Sequence, residues 1–529
     1  MMGFPIDLNL LRKNPRLFKE SIKKRGGDPS VIDKALELDK RRLQLQRELD
    51  RLRHKKNIYA RLFGFTKQYL SGKLDEQVVL SKLREVGIEI EKVDESILNK
   101  IKKEVTKIDE DIKKTEMVYK DTLNNLIKLL WNLPNLVAED VPVGSEEKNM
   151  PIRFWGIPKV YKRYIEAFRE QAERWGWIIV ELKKFLEDKR FEKYVKNREK
   201  LEELYRILEG KESFKEINFN EVLDFRLLNR DRIIPYTLIN FEPKHHYDLI
   251  KDFAIADTDK AGIVAGSRFY FEFKELVLMD LALSIEGITF LIERGYKPVI
   301  PPYMLKKKVL DGVITLEDYE DMMYKIDGED LFLIGTAEHP ITALYYNEIF
   351  NEGDLPLKIV GWSPCFRKEA GAHGKDTKGI FRVHQFHKVE QYIFCKPEDS
   401  EKLHEELIRN AEEFLQRLNI PYRVVLIASK DMGKRNYKQY DIEGWFPGQG
   451  KYRELVSGSN VTDWQSRRCN IRYRKKDNKL DFVHTLNCTL VAVQRTLCAI
   501  MENFYDQKRD AITVPKLLRK YIPNNTIVR

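Results

Sequence analysis

Apolar residues recur every three or four positions along two amino-terminal segments, residues 30–62 and 83–130, which contain almost no glycine or proline. This period is typical of an amphipathic helix with a single apolar stripe. The connection between the segments carries Gly64 and Gly72, which we expect to break the helices. Two such helices can bury their stripes on each other, so the pattern predicts an antiparallel two-helix coiled-coil arm. A coiled coil that only mediates dimerisation fits the same stripes.

The rest of the chain follows a different pattern. The segment 131–144 lacks helical periodicity and contains Pro134 and Pro142, so we expect a linker there. From His246 onward, aromatic and β-branched runs alternate with turns and short helices, which favours an α+β fold with an antiparallel sheet flanked by helices. The predicted division is a helical domain at 1–135, a linker with the start of the next domain at 136–159, a helical insertion of unknown role at 160–240 and the α+β domain at 241–529.

Charge adds a first indication of a partner. The 529 residues include 94 Lys and Arg against 83 Asp and Glu, a net charge of +11. A cationic surplus favours a polyanion through phosphate contacts, and cations clustered along one helix can follow a nucleic-acid backbone. The same cluster also fits an ordinary solvated helix face. The cations concerned are Arg41, Arg42, Arg47, Arg51 and Lys55.

Cysteine usage and hydropathy bear on the compartment. The five cysteines form no C-x-x-C pair and are too sparse for a disulfide framework, which favours a reducing environment. No charged amino-terminal region precedes a long apolar run, and no stretch of about eighteen apolar residues occurs. We therefore expect a cytoplasmic protein without a membrane partner.

The segment 365–392 is predicted to form a strand, a glycine-rich loop and a returning strand with alternating charged residues. Residues two apart in a strand share one face. An Arg fork can hold a phosphate or carboxylate, a Glu can accept from an amine, and a Phe ring can stack on a base. An exposed hairpin with cross-strand ion pairs fits the same pattern. The predicted face carries Arg367 and Glu369 on the first strand and Arg382, His384, Phe386, Lys388 and Glu390 on the second.

The sequence FRKEAG, followed by GIFRVHQFHKVEQ, resembles motif 2 of the seryl-tRNA synthetases of the common zinc-free type, which are class II aminoacyl-tRNA synthetases. The amino-terminal segment, the linker and the carboxyl-terminal segment resemble this family too, whereas about 160–240 and the lengthened arm tip do not. The resemblance implies that residues 1–135 are a tRNA-binding coiled-coil domain and that residues 241–529 form the class II aminoacylation domain. It also implies that the loop of motif 2 approaches the acceptor end of the tRNA.

In this family, motif 2 holds both the nucleotide and the amino acid. The resemblance assigns the ATP α-phosphate and the serine carboxylate to Arg367, and the serine ammonium to Glu390. The other implied ATP contacts are Glu369 at the adenine amino group, Phe386 at the adenine ring, Arg382 at the γ-phosphate side and Val383.

Two further segments resemble substrate-binding elements of the family. The segment DLFLIGTAEHPITAL resembles the serine-recognition loop, with Thr336 and Glu338 as serine contacts, although T-x-E alone also fits a helix cap. The segment KYRELVSGSN supplies Glu454 and Ser457, two hard oxygen donors that suit Mg²⁺ bridging ATP phosphates. Gly458 stands where the family usually has cysteine.

The segment HTLNCTLVAVQRTL resembles motif 3. It implies that Arg495 clamps the γ-phosphate and that Asn487 and Thr489 lie near the serine side chain. Cys488 and Leu490 are bulkier than the small residues common at this turn. Farther upstream, RGYKPVIPPY resembles motif 1, whose Pro302 implies a dimer interface, although a proline that merely ends a strand fits equally well.

These resemblances imply an enzyme that activates L-serine with ATP and transfers it to the terminal adenosine of tRNA(Ser), with tRNA(Sec) as an open second acceptor. Arg367, Arg495 and Glu390 are the implied catalytic residues. We expect Mg²⁺ with ATP, no zinc, and a homodimer. Two alternatives are a paralogue that loads an amino acid on a carrier protein and a non-catalytic RNA-binding homologue.

Overall fold

The computed structural model describes residues 4–85, 87–315, 322–369 and 378–528. It divides into two compact units. The smaller unit contains Phe4–Glu20 and Asp28–Leu133, and the larger contains Ser21–Gly27 together with the chain from Pro134.

The α-helices follow the chain in this order: α1 Leu8–Lys13, α2 Pro15–Lys24, α3 Ser30–Leu70, α4 Glu76–Arg84, α5 Glu95–Trp131, α6 Ile165–Glu173, α7 Leu182–Glu187, α8 Arg198–Leu208, α9 Phe219–Val222, α10 Phe225–Arg230, α11 His246–Asp252, α12 Thr258–Val264, α13 Glu275–Ile292, α14 Lys307–Leu310, α15 Glu338–Leu344, α16 Ser400–Arg417, α17 Trp464–Cys469 and α18 Val493–Phe504.

The strands are β1 Met150–Trp155, β2 Lys159–Tyr161, β3 Ile178–Glu181, β4 Ile233–Ile239, β5 Ala256–Asp257, β6 Phe271–Glu272, β7 Lys297–Val299, β8 Met304–Lys306, β9 Leu331–Leu333, β10 Ile349–Asn351, β11 Leu357–Phe366, β12 Gln385–Cys395, β13 Tyr422–Leu426, β14 Lys438–Phe446, β15 Lys451–Thr462, β16 Arg472–Arg474, β17 Leu480–Phe482, β18 His484–Ala492, β19 Tyr505–Asp506, β20 Ala511–Thr513 and β21 Thr526–Ile527.

The smaller unit is built on the long helices α3 and α5, which pack along each other. They run antiparallel, because Arg53 pairs with Glu116 while Lys56, farther along α3, pairs with Asp109, farther back on α5. The predicted two-helix arm is therefore present. Gly64 does not end the first helix, which continues to Leu70, so this prediction was wrong. One glycine costs a helix about 1 kcal/mol. Burial of Leu62 and Thr66 on either side of Gly64 outweighs that cost.

The second predicted helix, 83–130, begins later than predicted. Helix α4 ends at Arg84, Gly87 adopts a positive φ of 77°, and α5 begins after Asp94, whose side chain accepts from the Ser96 N–H. The short α4 packs on the far end of the arm and gives it a small core of its own. This core is formed by Tyr59, Leu62, Val79, Leu80, Leu83, Val93, Ile97, Ile101 and Ile108.

The larger unit is organised around a sheet of eight described strands in the order β1-β13-β14-β15-β18-β12-β11-β7. Neighbouring strands are antiparallel except β7 and β11, which are parallel. Helices α13, α16 and α18 cover one face and bury it in the main apolar core. The predicted α+β fold, an antiparallel sheet flanked by helices, is confirmed.

The segment 160–240 is not only helical, which corrects the sequence-based prediction. Besides α6 to α10, it contributes to a small parallel sheet in which β4 lies between β2 and β3. Its apolar side chains, including Phe185, Leu204 and Phe225, belong to the same core as the main sheet. The segment is therefore part of the larger unit rather than an independent appendage.

Helix α13 is apolar on two sides. One side packs on β11 and β12, while the other leaves Val277, Leu281, Ile285 and Ile292 exposed. In the described part of the chain, no helix combines the length and apolar character needed to cross a membrane.

Candidate active site

A cavity of about 510 Å³ opens in the larger unit, bordered by β12, β15, β18 and the start of α15. The structure brings together here all the residues that the sequence predicted for serine, ATP and metal. They are Thr336, Glu338, Arg367, Glu369, Arg382, Val383, Phe386, Glu390, Glu454, Ser457, Asn487, Thr489 and Arg495.

The hairpin β11–β12 supplies one wall. In its register Phe386, Lys388 and Glu390 lie opposite Cys365, Ser363 and Gly361. Because same-face residues of a strand are two apart, Phe386, Lys388 and Glu390 form a row along the cavity wall. Lys388 and Glu390 are buried, so the alternative of an exposed hairpin is wrong.

The predicted shared face of the first strand is wrong for Arg367 and Glu369. Strand β11 ends at Phe366, and Glu369 adopts a positive φ of 49°. The Arg367 guanidinium lies over the Phe386 ring, 5.3 Å from its centroid, and its Nε donates to the Gly335 carbonyl at 3.1 Å. The chain therefore turns at the strand end, and this turn aims both side chains into the cavity. The loop 370–377, expected near the tRNA acceptor end, lies outside the described residues.

Glu369 and Arg382, which lie on either side of residues 370–377 in the chain, form an ion pair. The Arg382 Nε donates to Glu369 Oε2 at 2.6 Å, and Arg268 donates to the Glu369 carbonyl at 2.7 Å. Arg382 lies before β12 rather than within it, so its predicted place on the returning strand is also wrong. The pair keeps one carboxylate and one guanidinium in the cavity wall.

The opposite end of the cavity is dominated by Glu390. Its carboxylate forms an ion pair with Lys388 and accepts from the Thr336 hydroxyl at 3.4 Å. Burial raises the pKa of Glu390, and the Lys388 ammonium opposes this shift. The arrangement can bind an ammonium ion and a small hydroxyl group side by side.

Glu338 is more tightly engaged than the sequence suggested. It forms a two-pronged ion pair with Arg435, with N–O distances of 2.8 and 2.9 Å, and accepts from Gln465 at 2.8 Å. Its N–H donates to the Thr336 hydroxyl at 3.3 Å, but the N-cap residue of α15 is Ala337, so the alternative of Thr336 as the helix cap is wrong. Glu338 thus fixes the start of α15 and the Arg435 side chain at the cavity edge.

Strand β18 supplies the floor beneath Glu390. Thr489 pairs directly with Glu390, and Asn487 lies two residues away on the same face. The Asn487 side-chain nitrogen is buried and has no hydrogen-bond partner among the described residues. An unsatisfied buried donor is costly, so this amide is suited to a ligand that supplies an acceptor.

A β-bulge explains how the two residues predicted to bind a metal come to face the same way. Glu454 and Ser457 are three apart and would fall on opposite faces of a regular strand. The register places Glu454 opposite Glu443 and Val456 opposite Ile442, which leaves Leu455 as the extra residue. The bulge turns both oxygen donors to the cavity, where they fit a hard divalent cation with phosphate ligands.

Arg495 faces this pair from the first turn of α18. Its Nη1 lies 3.1 Å from Glu454 Oε1, and its guanidinium lies 5.1 Å from the Phe381 ring centroid. The Arg495 charge holds the pKa of Glu454 below its usual value, so the carboxylate is ionised at neutral pH. The charge of Arg367 acts on Glu454 in the same direction, so two cations favour its ionised form.

Two of the three departures from the family pattern, Gly458 and Cys488, compensate each other. Cys488 pairs with Gly458 across β18 and β15, and a Cβ added at Gly458 would meet the Cys488 sulfur at 2.9 Å. Leu490 is the extra residue of a second bulge and packs against Gly287 of α13. Neither Cys488 nor Leu490 lines the cavity. The sheet accommodates their bulk on its far side.

The cations predicted for tRNA lie on α3 in the smaller unit. Arg41, Arg47, Arg51 and Lys55 are exposed. Arg42 differs, because its side chain is only 12% exposed and pairs with the buried Asp39 at 2.9 Å. Four of the five cations are thus available to a polyanion, and Arg42 contributes to the packing of the arm.

Sequence reasoning missed several residues of the cavity. The alternation of Phe386, Lys388 and Glu390 predicts the correct face for Lys388 but assigns it no role. Arg435 and the rest of the cavity-lining loop from Lys430 to Asn436 carried no recognisable spacing. The position of Arg435 depends on its ion pair with Glu338, which only the fold reveals.

Comparison with known proteins gives consistent matches. Residues 6–108 match the model of the seryl-tRNA synthetase N-terminal domain, and residues 322–504 match that of the tRNA synthetase class II core domain for G, H, P, S and T. A serine–tRNA ligase from Hyperthermus butylicus is 42% identical over 520 residues, 97% of this chain and 95% of that protein. One from Pyrococcus abyssi is 42% identical over 99% of this chain and 97% of that protein.

Two solved structures are also similar. The seryl-tRNA synthetase from Pyrococcus horikoshii complexed with ATP has a TM-score of 0.79 and 40% identity, covering 99% of both chains. The cytoplasmic serine–tRNA ligase from Naegleria fowleri in complex with AMP has a TM-score of 0.72 and 31% identity, covering 98% of both chains. Because this coverage includes residues 160–240, that segment has a counterpart in these relatives.

Proposed function

The chain belongs to the seryl-tRNA synthetase family, and from this premise we propose how its residues activate L-serine with ATP and transfer it to tRNA. It is a class II, ATP-dependent aminoacyl-tRNA ligase. The observation that carries the residue assignments is the row formed by Phe386, Lys388 and Glu390, which leads from a nucleotide-binding end to an ammonium-binding end of one cavity.

Serine binds at the Glu390 end. The Glu390 carboxylate takes the serine ammonium, and the buried hydroxyl of Thr336 lies beside it. Asn487 and Thr489 face the serine side chain from β18, and the unpartnered Asn487 nitrogen donates to the serine hydroxyl. A site that bonds this hydroxyl rejects alanine strongly because alanine would leave a buried donor unsatisfied. Glu338 acts mainly by fixing Arg435 and the start of α15.

ATP binds at the Phe386 end. Its adenine stacks on the Phe386 ring beside Val383, and Glu369 accepts from the adenine amino group after loosening from Arg382. Arg382 then turns to the γ-phosphate side, and Arg367 holds the α-phosphate and the serine carboxylate. Arg495 holds the γ-phosphate from the opposite wall.

Glu454 and Ser457 are the residues that would hold Mg²⁺ when ATP is bound. Both are hard oxygen donors, their shared direction comes from the bulge at Leu455, and Glu454 is kept ionised by Arg495. A divalent cation held there would neutralise phosphate charge. We propose no zinc site.

Activation needs positioning and fixed charge rather than a side-chain nucleophile. A serine carboxylate oxygen attacks the α-phosphorus in line while the bond to the bridging oxygen of pyrophosphate breaks. Negative charge develops on the phosphate oxygens, where the guanidinium groups of Arg367 and Arg495 are already oriented. Holding both reactants in one cavity supplies much of the remaining rate enhancement.

The arm binds tRNA(Ser) through the exposed cations of α3. Arg41, Arg47, Arg51 and Lys55 give this helix a positive row that suits a phosphate backbone. Such contacts read RNA shape more than base sequence. The coiled coil thus serves RNA binding rather than dimerisation.

Dimerisation uses the exposed apolar side of α13. Val277, Leu281, Ile285 and Ile292 recur at helical spacing, and the motif 1 residue Pro302 follows this helix in the chain. An exposed apolar patch of this kind commonly marks an interface. Sedimentation of Leu281→Lys tests this assignment, because a buried charge at the interface shifts the protein toward monomer.

We place the protein in the cytoplasm because its five cysteines are free buried thiols.

The experiment that tests the function measures serine-dependent ATP–pyrophosphate exchange and then charging of purified tRNA(Ser), with tRNA(Sec) as a second acceptor. Exchange and charging are both expected. Exchange without charging would favour the carrier-protein paralogue, and absence of both would favour the non-catalytic RNA-binding homologue.

A further inference from the structure

Lys388 is a buried cation in the cavity wall. Its partner is the carboxylate of Glu390, the group proposed to bind the substrate ammonium. Its side chain is 7% exposed and that of Glu390 is 2% exposed, and the two form a direct ion pair. Both residues line the cavity. The Lys388 ammonium thus pairs with Glu390 at the position that the ammonium of an amino acid would occupy.

The register places Lys388 between the two ends of the cavity. Phe386, Lys388 and Glu390 follow each other on one face of β12, about 7 Å apart at the rise of a strand. In an aminoacyl adenylate, the carboxyl–phosphate junction lies between the adenine and the ammonium. Lys388 is therefore level with the bond that forms during activation.

We propose that Lys388 is a further catalytic residue of amino-acid activation, which exchanges partners when the substrate binds. This inference rests on the proposed function. The substrate ammonium takes the Glu390 carboxylate, and the released Lys388 ammonium moves to the substrate carboxylate and the α-phosphate oxygens.

Charge balance supports this exchange. Removing one partner of a buried ion pair is strongly unfavourable because it leaves an uncompensated charge. A zwitterion brings one ammonium and one carboxylate, so one ion pair is replaced by two and no buried charge remains unpaired. An amine without a carboxylate would displace Lys388 with nothing to compensate it, so the pair discriminates against simple amines.

The chemical step leaves Lys388 protonated. The carboxylate oxygen forms a bond to the α-phosphorus, the bond to the pyrophosphate oxygen breaks with its electron pair, and the lysine ammonium contacts the charge that develops on the α-phosphate oxygens. Removing one preorganised donor of this kind typically slows a reaction by about 100- to 1000-fold.

Lys388→Met tests the proposal with two measurements that should change in opposite directions. Serine-dependent ATP–pyrophosphate exchange should fall by about 100-fold in kcat. Ethanolamine, which is serine without its carboxylate, should bind by calorimetry about tenfold tighter or more, because the ammonium of Lys388 no longer occupies Glu390. A merely structural role for Lys388 would weaken both. Lys388→Arg keeps the cation and should recover part of the exchange rate.

Lys358→Met is the matched control. Lys358 lies on the neighbouring strand β11 and pairs with Glu406 at 2.6 Å, but it does not line the cavity. It should retain wild-type exchange and ethanolamine affinity. If Lys388→Met does not fold, Lys388→Gln replaces it in both measurements. Unchanged exchange, or ethanolamine binding that is not strengthened, would overturn the inference while the wild type still activates serine; a wild type without exchange would instead overturn the proposed function.

Discussion

The cavity and the arm use charge in opposite ways. In the cavity, Glu390, Lys388 and Glu338 are buried, and each has a partner within the wall. On α3, Arg41, Arg47 and Lys55 are exposed to solvent. Buried ion pairs are strongly affected by the loss of one partner, whereas exposed ones contribute little individually. One region therefore depends on the geometry of single residues and the other on the sum of many.

The two regions also have separate apolar cores. The larger unit buries its sheet under α13, α16 and α18 in one continuous apolar core. The far end of the arm has a core of its own with α4. Because each region buries its own apolar side chains, one can be altered while the other keeps its structure.

Removal of the arm should have the largest effect, and only on one reaction. Deleting residues 31–130 and joining the ends with a short glycine–serine linker should abolish tRNA charging, because the α3 cations are lost. Serine-dependent exchange should stay within about threefold of wild type, since every residue that lines the cavity remains. Filter-based charging and exchange assays on the same preparation check this. Retained charging would disprove the proposed role of the arm.

Glu390→Ala should be the most damaging single substitution in the cavity. It removes the acceptor for the serine ammonium and leaves Lys388 buried without its partner, so exchange should fall by about 1000-fold. Glu398→Ala, an exposed glutamate just beyond the same strand, is the control and should be neutral. Near-normal exchange by the Glu390 variant would remove Glu390 from the serine site.

Glu454→Gln should have an intermediate effect with a distinct signature. The neutral side chain keeps its size but holds a divalent cation poorly, so exchange should fall by about 100-fold and half-maximal rate should require more Mg²⁺. Glu443→Gln is the matched control, because Glu443 is the register partner of Glu454 but pairs with Arg423. A Mg²⁺ titration of both variants checks this. An unchanged Mg²⁺ requirement would contradict the metal assignment.

The sequence was informative where strands are regular. The alternation of Phe386, Lys388 and Glu390 predicted their common face, because β12 is uninterrupted there. It failed for Arg367 and Glu369, where the strand has ended and the backbone turns. Alternation describes a face only within a strand, and strand ends depend on tertiary contacts.

Other features could not be derived from one sequence. The bulge that aligns Glu454 with Ser457 is visible only in the pairing of β14 with β15. The fit of Cys488 to Gly458 requires knowing that β15 and β18 are neighbours. The strands within 160–240 lie among charged helical segments, and their apolar residues gain order from packing on the main core. The family resemblance supplied the site residues, and the fold supplied the reasons for their spacing.

The smallest effects are expected from single cations of the arm, and there the comparison becomes quantitative. Arg41→Gln, Arg47→Gln and Lys55→Gln should each weaken tRNA binding only about twofold to fivefold and reduce the slope of log affinity against log salt by about one, because each neutralises one phosphate contact. Arg42→Gln is the informative counterpart. Its guanidinium pairs with Asp39, which Arg12 also contacts, so its loss should lower the stability of the arm by about 1 kcal/mol in thermal unfolding. A salt slope that falls equally for Arg42→Gln would show that burial does not separate structural from RNA-binding cations on α3.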